Sequence, residues 1–123
     1  MIALARQWQK DVPAVKFFFA GFSFGSYVAY RAAAQFAHKL LITIAPPIHH
    51  YKYTEFSPAP APWIVVQGDD DEVVPAQLVF DFAAQATPVL PVLRFAETGH
   101  FFHGKLIDLK FSLIAAIRAQ VAL

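Results

Sequence analysis

The sequence predicts an α/β fold with three layers, in which a mostly parallel sheet lies between helices on both of its faces. Short apolar segments of strand length alternate with amphipathic segments of helix length, and the strands are apolar on both faces. Apolar residues make up 57% of the chain and charged residues 15%, against about 45–50% and about 25% in typical proteins. The 123 residues fit one domain, which we assign to residues 1–123.

Four apolar runs have the length and the aromatic or β-branched content of buried strands. They cover residues 15–20, 40–45, 63–67 and 89–95. Residues 57–62, between the second and third strands, alternate with proline, which favours an extended loop. Too little chain lies on either side of this loop for two hydrophobic cores, so we predict a single domain.

Four segments have the periodicity of helices. The first carries Ile2, Ala5 and Trp8 at helical spacing and is closed by Pro13. The second is an Ala-rich stretch over residues 26–36. The third opens with a proline, the fourth is C-terminal, and each has an apolar face: Leu78, Val79, Phe82 and Ala86 in the third, and Leu106, Leu109, Leu113, Ile114 and Ile117 in the fourth.

Composition and charge argue against several classes of partner. The formal net charge is +1 and no two lysine or arginine residues are adjacent, so nucleic acid and anionic membranes are poor candidates. The chain has no cysteine, which excludes disulfides and thiol nucleophiles. No apolar stretch approaches the ~20 residues of a membrane span, and the N-terminus lacks the pattern of a signal peptide. We expect a cytoplasmic protein that acts on a small molecule without a cofactor or metal.

Residues 21–25, Gly-Phe-Ser-Phe-Gly, match the pattern G-x-S-x-G between the first strand and the second helix. In this motif the serine lies on a sharp, strained turn that lifts its hydroxyl clear of the sheet. The two glycines let strand and helix approach each other without Cβ clashes. The backbone N–H of Phe24 is then placed to stabilise an oxyanion. The motif therefore predicts Ser23 as a nucleophile.

A nucleophilic serine needs a base, and the base needs an acid that orients its second ring nitrogen. The expected chain order for a serine on such a turn is Ser, then Asp or Glu, then His. The acid must then lie in residues 69–72, where any single residue is otherwise a turn or helix-cap residue. His100 and His103 follow the last strand and are the candidates for the base.

Four segments together resemble the α/β-hydrolase superfamily, in particular its small, minimally capped bacterial members of the dienelactone-hydrolase-like and esterase-like type. These segments are GFSFGSYVA, ITIAPPI, VVQGDDDEVVP and ETGHFFHGKL, and the likeness covers the chain from residue 15 onward. The family's G-x-x-D-x-x-V-P pattern implies Asp71 as the acid, with Asp70 as the next choice. The Gly-His pair after the last strand implies His100 as the base and leaves His103 as a loop or helix-cap residue.

The resemblance covers only the C-terminal part of such a hydrolase. The superfamily usually has three or four more strands before the serine turn, and one of their loops donates the second oxyanion N–H. We therefore expect about four strands of an α/β-hydrolase fold, with the N-terminal strands absent and the first strand left as an apolar edge. The chain is then a fragment, a homodimer paired through this edge, or one half that another chain completes.

The leading functional hypothesis is a serine hydrolase that cleaves a carboxylic ester, a thioester or a related acyl bond through Ser23, His100 and Asp71. The alternative is a truncated, non-catalytic hydrolase-like module that dimerises or pairs with another chain. A third hypothesis is metal-dependent hydrolysis by His49, His50 and the acidic cluster. It is disfavoured because no H-E-x-x-H or comparable spacing is present.

Phenylalanines flank the candidate nucleophile and base in the sequence. Phe22 and Phe24 lie on either side of the serine, and Phe101 and Phe102 follow the histidine. We expect Phe22, Phe24 and Phe101 to contribute to oxyanion and substrate binding, as an apolar pocket for an acyl group. Ordinary core packing is the alternative for at least two of the four phenylalanines.

Overall fold

The computed structural model describes residues 2–11 and 17–120, which contain four helices and four strands. In chain order these are α1 (Ile2–Asp11), β1 (Phe17–Phe22), α2 (Phe24–Ala33), β2 (His38–Ile44), β3 (Trp63–Gly68), α3 (Ala76–Gln85), β4 (Val92–Phe95) and α4 (Leu106–Gln120). Two features of the sequence prediction, the closure of the first helix at Pro13 and residues 15–16 of the first strand, lie outside the described residues.

All neighbouring strands in the sheet are parallel, and their spatial order is β1-β2-β3-β4. Phe22 at the end of β1 is in register with Ile44 of β2, which is in register with Val66 of β3. Gly68, the last residue of β3, is in register with Phe95, the last residue of β4. The carboxyl ends of the strands therefore meet along one edge of the sheet, where ligand sites occur in folds of this type.

Helices cover both faces of the sheet. One core cluster joins Leu41 and Val65 to residues of α1, α2 and α3, and a second joins Ile42 and Val66 to α4. Successive strand residues thus face opposite clusters, as the pleat requires. This arrangement confirms the predicted three-layer α/β/α architecture with a parallel sheet.

The boundary between β1 and α2 is tighter than the sequence indicates. Pairing with β2 carries β1 through Phe22, and α2 begins at Phe24, so Ser23 alone forms the turn. Helix α2 ends at Ala33 instead of residue 36. Strand β2 begins at His38.

Strand β4 is shorter than predicted because Leu90 forms a hydrogen bond with α3 and not with the sheet. The N–H of Leu90 donates to the carbonyl oxygen of Ala83 at the end of α3, at 3.0 Å. Residues 89–91 therefore belong to the loop between α3 and β4, and the strand begins only at Val92. The proline-rich residues 57–62 lie in the loop between β2 and β3, as predicted.

The buried faces of two helices differ from those that the apolar spacing predicts. In α3 the buried residues are Val79 and Ala83, whereas Leu78 is 44% exposed. In α1 only Ala5 is buried, and Trp8 is 52% exposed. No helix in residues 2–11 and 17–120 is long and apolar enough to cross a membrane.

Candidate active site

Ser23 lies at the turn between β1 and α2 in a backbone conformation that side chains rarely adopt. Its φ of 53° and ψ of −124° lie outside the usual regions, and such strain costs about 1–3 kcal/mol. The Ser23 N–H donates to the carbonyl oxygen of Ile44 at 2.8 Å. The Ser23 carbonyl oxygen accepts from the N–H of Ser26 at 2.9 Å and from the Ser26 hydroxyl at 2.7 Å. These bonds hold the strained turn in place.

The two glycines of the serine turn are not equivalent. A Cβ at Gly21 would overlap the carbonyl group of Gly25 and lie 2.6 Å from the backbone nitrogen of Ser26. A Cβ at Gly25 would have no described atom within 4 Å. The expectation that both glycines relieve Cβ clashes is therefore wrong for Gly25, because only the Gly21 side faces the crossing backbone.

Ser26 also connects the serine turn to the loop after β2. Its hydroxyl shares a hydrogen bond of 2.7 Å with the phenol of Tyr53, and both residues are buried. Burial raises the pKa of the Tyr53 phenol far above its usual range, so this group stays protonated. The hydroxyl groups of Ser26 and Tyr53 therefore hold the carbonyl group of Ser23 in position from inside the core. No sequence motif indicates this contact.

Asp71 lies in the loop after β3 with a side chain that is 0% exposed. Its Oδ1 accepts the backbone N–H groups of Val73 at 2.8 Å and Val74 at 2.6 Å. Its Oδ2 accepts from Nε2 of Gln67 at 3.1 Å and from Nδ1 of His100 at 2.8 Å. Four donors thus satisfy a fully buried carboxylate and fix its orientation, as burial of a charge requires.

His100 connects Asp71 to Ser23. Because a carboxylate only accepts hydrogen bonds, Nδ1 of His100 carries the proton that it donates to Asp71, which leaves Nε2 as an acceptor. Nε2 lies 3.1 Å from the hydroxyl oxygen of Ser23. The His100 backbone N–H donates to Oε2 of Glu72 at 3.3 Å. The structure therefore brings Ser23, His100 and Asp71 into one hydrogen-bonded chain at the carboxyl edge of the sheet.

Gln67, at the end of β3, is a further residue of this cluster and is 0% exposed. Its Nε2 donates to Oδ2 of Asp71 and to the carbonyl oxygen of Gly68, both at 3.1 Å. Both partners are acceptors only, so the amide nitrogen must face them. Its Oε1 is buried without a hydrogen-bond partner among the described residues. A buried polar atom left in this state costs stability, which points to a role for the side chain beyond packing.

The other candidates of the sequence lie outside the hydrogen-bonded chain. Asp70 and His103 are exposed, and Asp69 pairs with Arg94 at 3.1 Å. His49 and His50 are exposed, with ring centroids 3.9 Å apart. Partial desolvation of the His49 imidazole, and then charge repulsion from the neighbouring His50, lower the pKa of His49. No group of three His, Asp or Glu side chains in residues 2–11 and 17–120 is arranged to hold a metal ion.

Three of the four candidate phenylalanines are exposed and one is in the core. Phe22, Phe24 and Phe101 are exposed, whereas Phe102 is buried in the cluster beneath α4. The ring of Phe22 lies 5.0 Å from the His100 ring and 5.9 Å from that of Phe101, measured between centroids. Core packing therefore applies to Phe102 alone and not to two or more of the four, and the rings of Phe22 and Phe101 border the hydrogen-bonded chain.

The backbone N–H of Phe24 is the first of helix α2 and has no acceptor among the described residues. The N-terminal N–H groups of a helix have no partner within it. The positive end of the helix dipole adds to their attraction for an anion. This N–H, next to the Ser23 hydroxyl in the chain, can therefore donate to an oxygen that becomes negative during attack by the serine.

The same fold occurs in solved structures of hydrolases. An α/β serine hydrolase without a lid, from Xanthomonas campestris, is 40% identical with a TM-score of 0.89, and the match covers 98% of this chain and 55% of that chain. An α/β serine hydrolase homologue from Coxiella burnetii is 33% identical with a TM-score of 0.84, over 93% of this chain and 55% of that chain. The chain carries part of an α/β-hydrolase fold. It spans about half the length of these relatives.

Comparison of sequences alone gives a match over a smaller part of the chain. An uncharacterized protein of Rickettsia prowazekii is 35% identical over 65 residues, which are 50% of this chain and 27% of that protein. No protein-family model matches the chain. The assignment to the α/β-hydrolase fold therefore rests on structure together with the identity to the two hydrolases.

A cavity of about 500 Å³ lies away from the hydrogen-bonded chain. It is lined by Trp63, Phe82 and Leu90 with neighbouring loop residues. Trp63 begins β3 and Leu90 precedes β4, so this cavity lies at the amino ends of the strands.

Proposed function

We propose that this chain carries the catalytic residues of a serine hydrolase that cleaves a carboxylic ester, a thioester or a related acyl bond. The observation that carries the proposal is the unbroken path from the Ser23 hydroxyl through both ring nitrogens of His100 to the buried Asp71 carboxylate. A serine held in this way by a neutral imidazole is the arrangement that activates a hydroxyl for attack on a carbonyl carbon.

The proposed reaction has two halves. Ser23 Oγ attacks the carbonyl carbon while Nε2 of His100 takes its proton, and the Phe24 N–H donates to the developing oxyanion. The tetrahedral intermediate then expels the leaving group, which receives the proton from His100. Water attacks the resulting acyl-serine by the same route and regenerates the free hydroxyl. Asp71 remains ionised throughout and holds the proton of His100 on Nδ1.

Hydrolysis of p-nitrophenyl acetate and p-nitrophenyl butyrate tests the proposal. Substitution Ser23→Ala should lower kcat by about 10⁴-fold or more, because the nucleophile is lost while substrate binding remains. Ser57→Ala, the same type of change in the exposed loop before β3, should leave kcat unchanged. Equal rates for the native protein and Ser23→Ala, both shown to be folded by circular dichroism, would overturn the proposal.

Gln67 offers a separate prediction, since its buried amide contributes to the site at a cost in stability. Gln67→Met keeps the length of the side chain but removes the Nε2 donor to Asp71 and to the Gly68 carbonyl, together with the unpaired Oε1. We expect kcat for ester hydrolysis to fall about tenfold, the effect of one lost hydrogen bond to a charged group, while the thermal unfolding midpoint stays the same or rises. Unchanged kcat, or a loss of kcat that merely follows a fall in the unfolding midpoint, would contradict this role.

A second candidate function is that of a module that pairs through the edge of its sheet. Strand β1 lies at the edge of the described sheet, and Phe18 on it is 49% exposed. A groove of about 380 Å³ runs beside the strand, lined by Phe18, Leu4, Trp8 and Ala20 among others. Exposed apolar edges readily pair with another strand, and we propose a second copy of this chain as the partner.

Light scattering during size-exclusion chromatography tests the pairing. The native protein should elute with the mass of a dimer, and Phe18→Lys should convert it to a monomer by placing a charge on the edge. Phe111→Lys makes the same change at an exposed position of helix α4 and should remain dimeric. A monomeric native protein, or a dimeric Phe18→Lys variant, would contradict pairing through β1.

A further inference from the structure

We propose that the substrate is an ester without negative charge, with an apolar group on each side of its carbonyl. Phe101 and Phe22 contact the leaving group, and Tyr51 and Phe24 contact the acyl group. The inference rests on the proposed function and deepens it by assigning the two sides of the reacting bond to separate aromatic pairs. Its basis is the placement of exposed aromatic rings around the Ser23–His100 pair.

The first aromatic pair lies against the base. The Phe101 ring is nearly perpendicular to the His100 ring, with centroids 5.0 Å apart. The centroid of the Phe22 ring also lies 5.0 Å from that of the His100 ring. Phe101 is nevertheless 66% exposed. Most of its surface is therefore free to contact a group that comes close to the imidazole.

The group that comes close to the imidazole is determined by the chemistry. The proton that Nε2 of His100 takes from Ser23 must next reach the oxygen or sulfur of the leaving group, because that atom departs with the pair of electrons of the broken bond. The leaving atom therefore passes within hydrogen-bond distance of Nε2. Substituents on that atom extend along the rings that border the imidazole, which are Phe101 and Phe22.

The second aromatic pair lies at the start of α2. The ring centroids of Phe24 and Tyr51 are 5.3 Å apart, and Tyr51 stacks on Tyr27 at 4.9 Å. Among the described residues, neither ring of this pair is in aromatic contact with Phe22 or Phe101. Phe24 is 55% and Tyr51 37% exposed. The two pairs thus form separate aromatic surfaces, one that contains the residue before Ser23 and one that contains the residue after it.

The position of the acyl group follows from the positions of the other substituents on the carbon of the tetrahedral intermediate. Its carbon bears the serine oxygen, the oxyanion, the leaving atom and the acyl substituent. The oxyanion is directed to the Phe24 N–H, and the leaving atom is directed to His100. The acyl substituent is left to extend past the start of α2, where Phe24 and Tyr51 offer their exposed faces.

Charge near the base disfavours an anionic leaving group. The carboxylate of Glu72 accepts the backbone N–H of His100 at 3.3 Å, and Asp70 is exposed in the same loop. Both carboxylates repel an anionic substituent that approaches from this side. An aromatic or alkyl substituent instead gains from contact with the exposed rings, since aromatic pairs attract beyond the burial of their area.

Four esters separate the two surfaces: phenyl hexanoate, methyl hexanoate, phenyl acetate and methyl acetate, each followed by acid release in a pH-stat. Phe101→Ala should lower kcat/KM about tenfold more for the phenyl esters than for the methyl esters. Tyr51→Ala should lower kcat/KM about tenfold more for the hexanoates than for the acetates. Phe111→Ala, a phenylalanine exposed on α4, is the matched control and should change none of the four.

The outcomes distinguish this inference from the proposed function. If the folded native protein hydrolyses none of the four esters, the proposed function fails and the inference fails with it. If it hydrolyses them but Phe101→Ala and Tyr51→Ala change the same preference, or lower all four rates equally, only the assignment of the two surfaces is overturned. The assignment is supported if Phe101→Ala loses only the preference for phenyl over methyl esters and Tyr51→Ala loses only the preference for hexanoates over acetates.

Discussion

Substitution Asp71→Asn is expected to lower kcat about 10⁴-fold, the loss seen when a histidine base is held in the wrong tautomer. The asparagine keeps an oxygen for the N–H groups of Val73 and Val74 but places its NH₂ group where Oδ2 now accepts from His100 and Gln67. Two donors then face each other, so His100 must carry its proton on Nε2. An Nε2 that is already protonated cannot accept the proton of Ser23.

Ester hydrolysis by Asp71→Asn measures this effect, with Asp70→Asn as the matched control. Both changes remove one negative charge from the same loop, but Asp70 is exposed and makes none of the contacts of the hydrogen-bonded chain. We expect Asp70→Asn to retain native activity. A large loss in Asp70→Asn with little loss in Asp71→Asn would reverse the assignment of the acid, which the sequence alone left open between these neighbours.

Substitution Gly21→Ala is expected to have the largest effect on stability. The new methyl group would overlap the carbonyl group of Gly25 and press on the backbone nitrogen of Ser26, and backbone atoms cannot turn away as a side chain can. Overpacking of this kind costs up to about 3 kcal/mol, which lowers the unfolding midpoint by about 10 °C in a domain of this size. Thermal unfolding followed by circular dichroism measures the shift.

Gly25→Ala is the control for this prediction, because a Cβ at that position meets no described atom within 4 Å. Its unfolding midpoint should stay within a few degrees of the native value. Equal destabilisation by the two substitutions would mean that the strand and the helix do not cross at Gly21 as closely as the structure indicates.

The sheet and the position of its site follow from the sequence for a physical reason. Strands that are apolar on both faces belong in a covered parallel sheet, and the carboxyl ends of such strands lie at one edge. Ser23, Asp71 and His100 follow three different strands. Their meeting at one edge was therefore predictable, whereas the choice of Asp71 among four adjacent acidic residues needed the resemblance to a known family.

Side-chain contacts between distant segments could not be predicted in this way. The Gln67 amide follows an apolar run and belongs to no motif, and its contact with Asp71 depends on how the loop folds back over the end of β3. Tyr53 and Tyr51 lie in the long loop after β2 and reach α2 only through that loop's path. A lone polar residue at the end of a buried strand, as Gln67 is, was the one signal available.

Labelling with a fluorophosphonate probe tests the central claim most directly, because the reagent reacts with a serine only when its hydroxyl is activated by a working base. Intact-mass measurement of the purified, folded protein should show one adduct on the native chain, one on Ser57→Ala and none on Ser23→Ala. That pattern would mean that Ser23, His100 and Asp71 act together in this chain. No adduct on the folded native protein, or an adduct that persists in Ser23→Ala, would contradict the account.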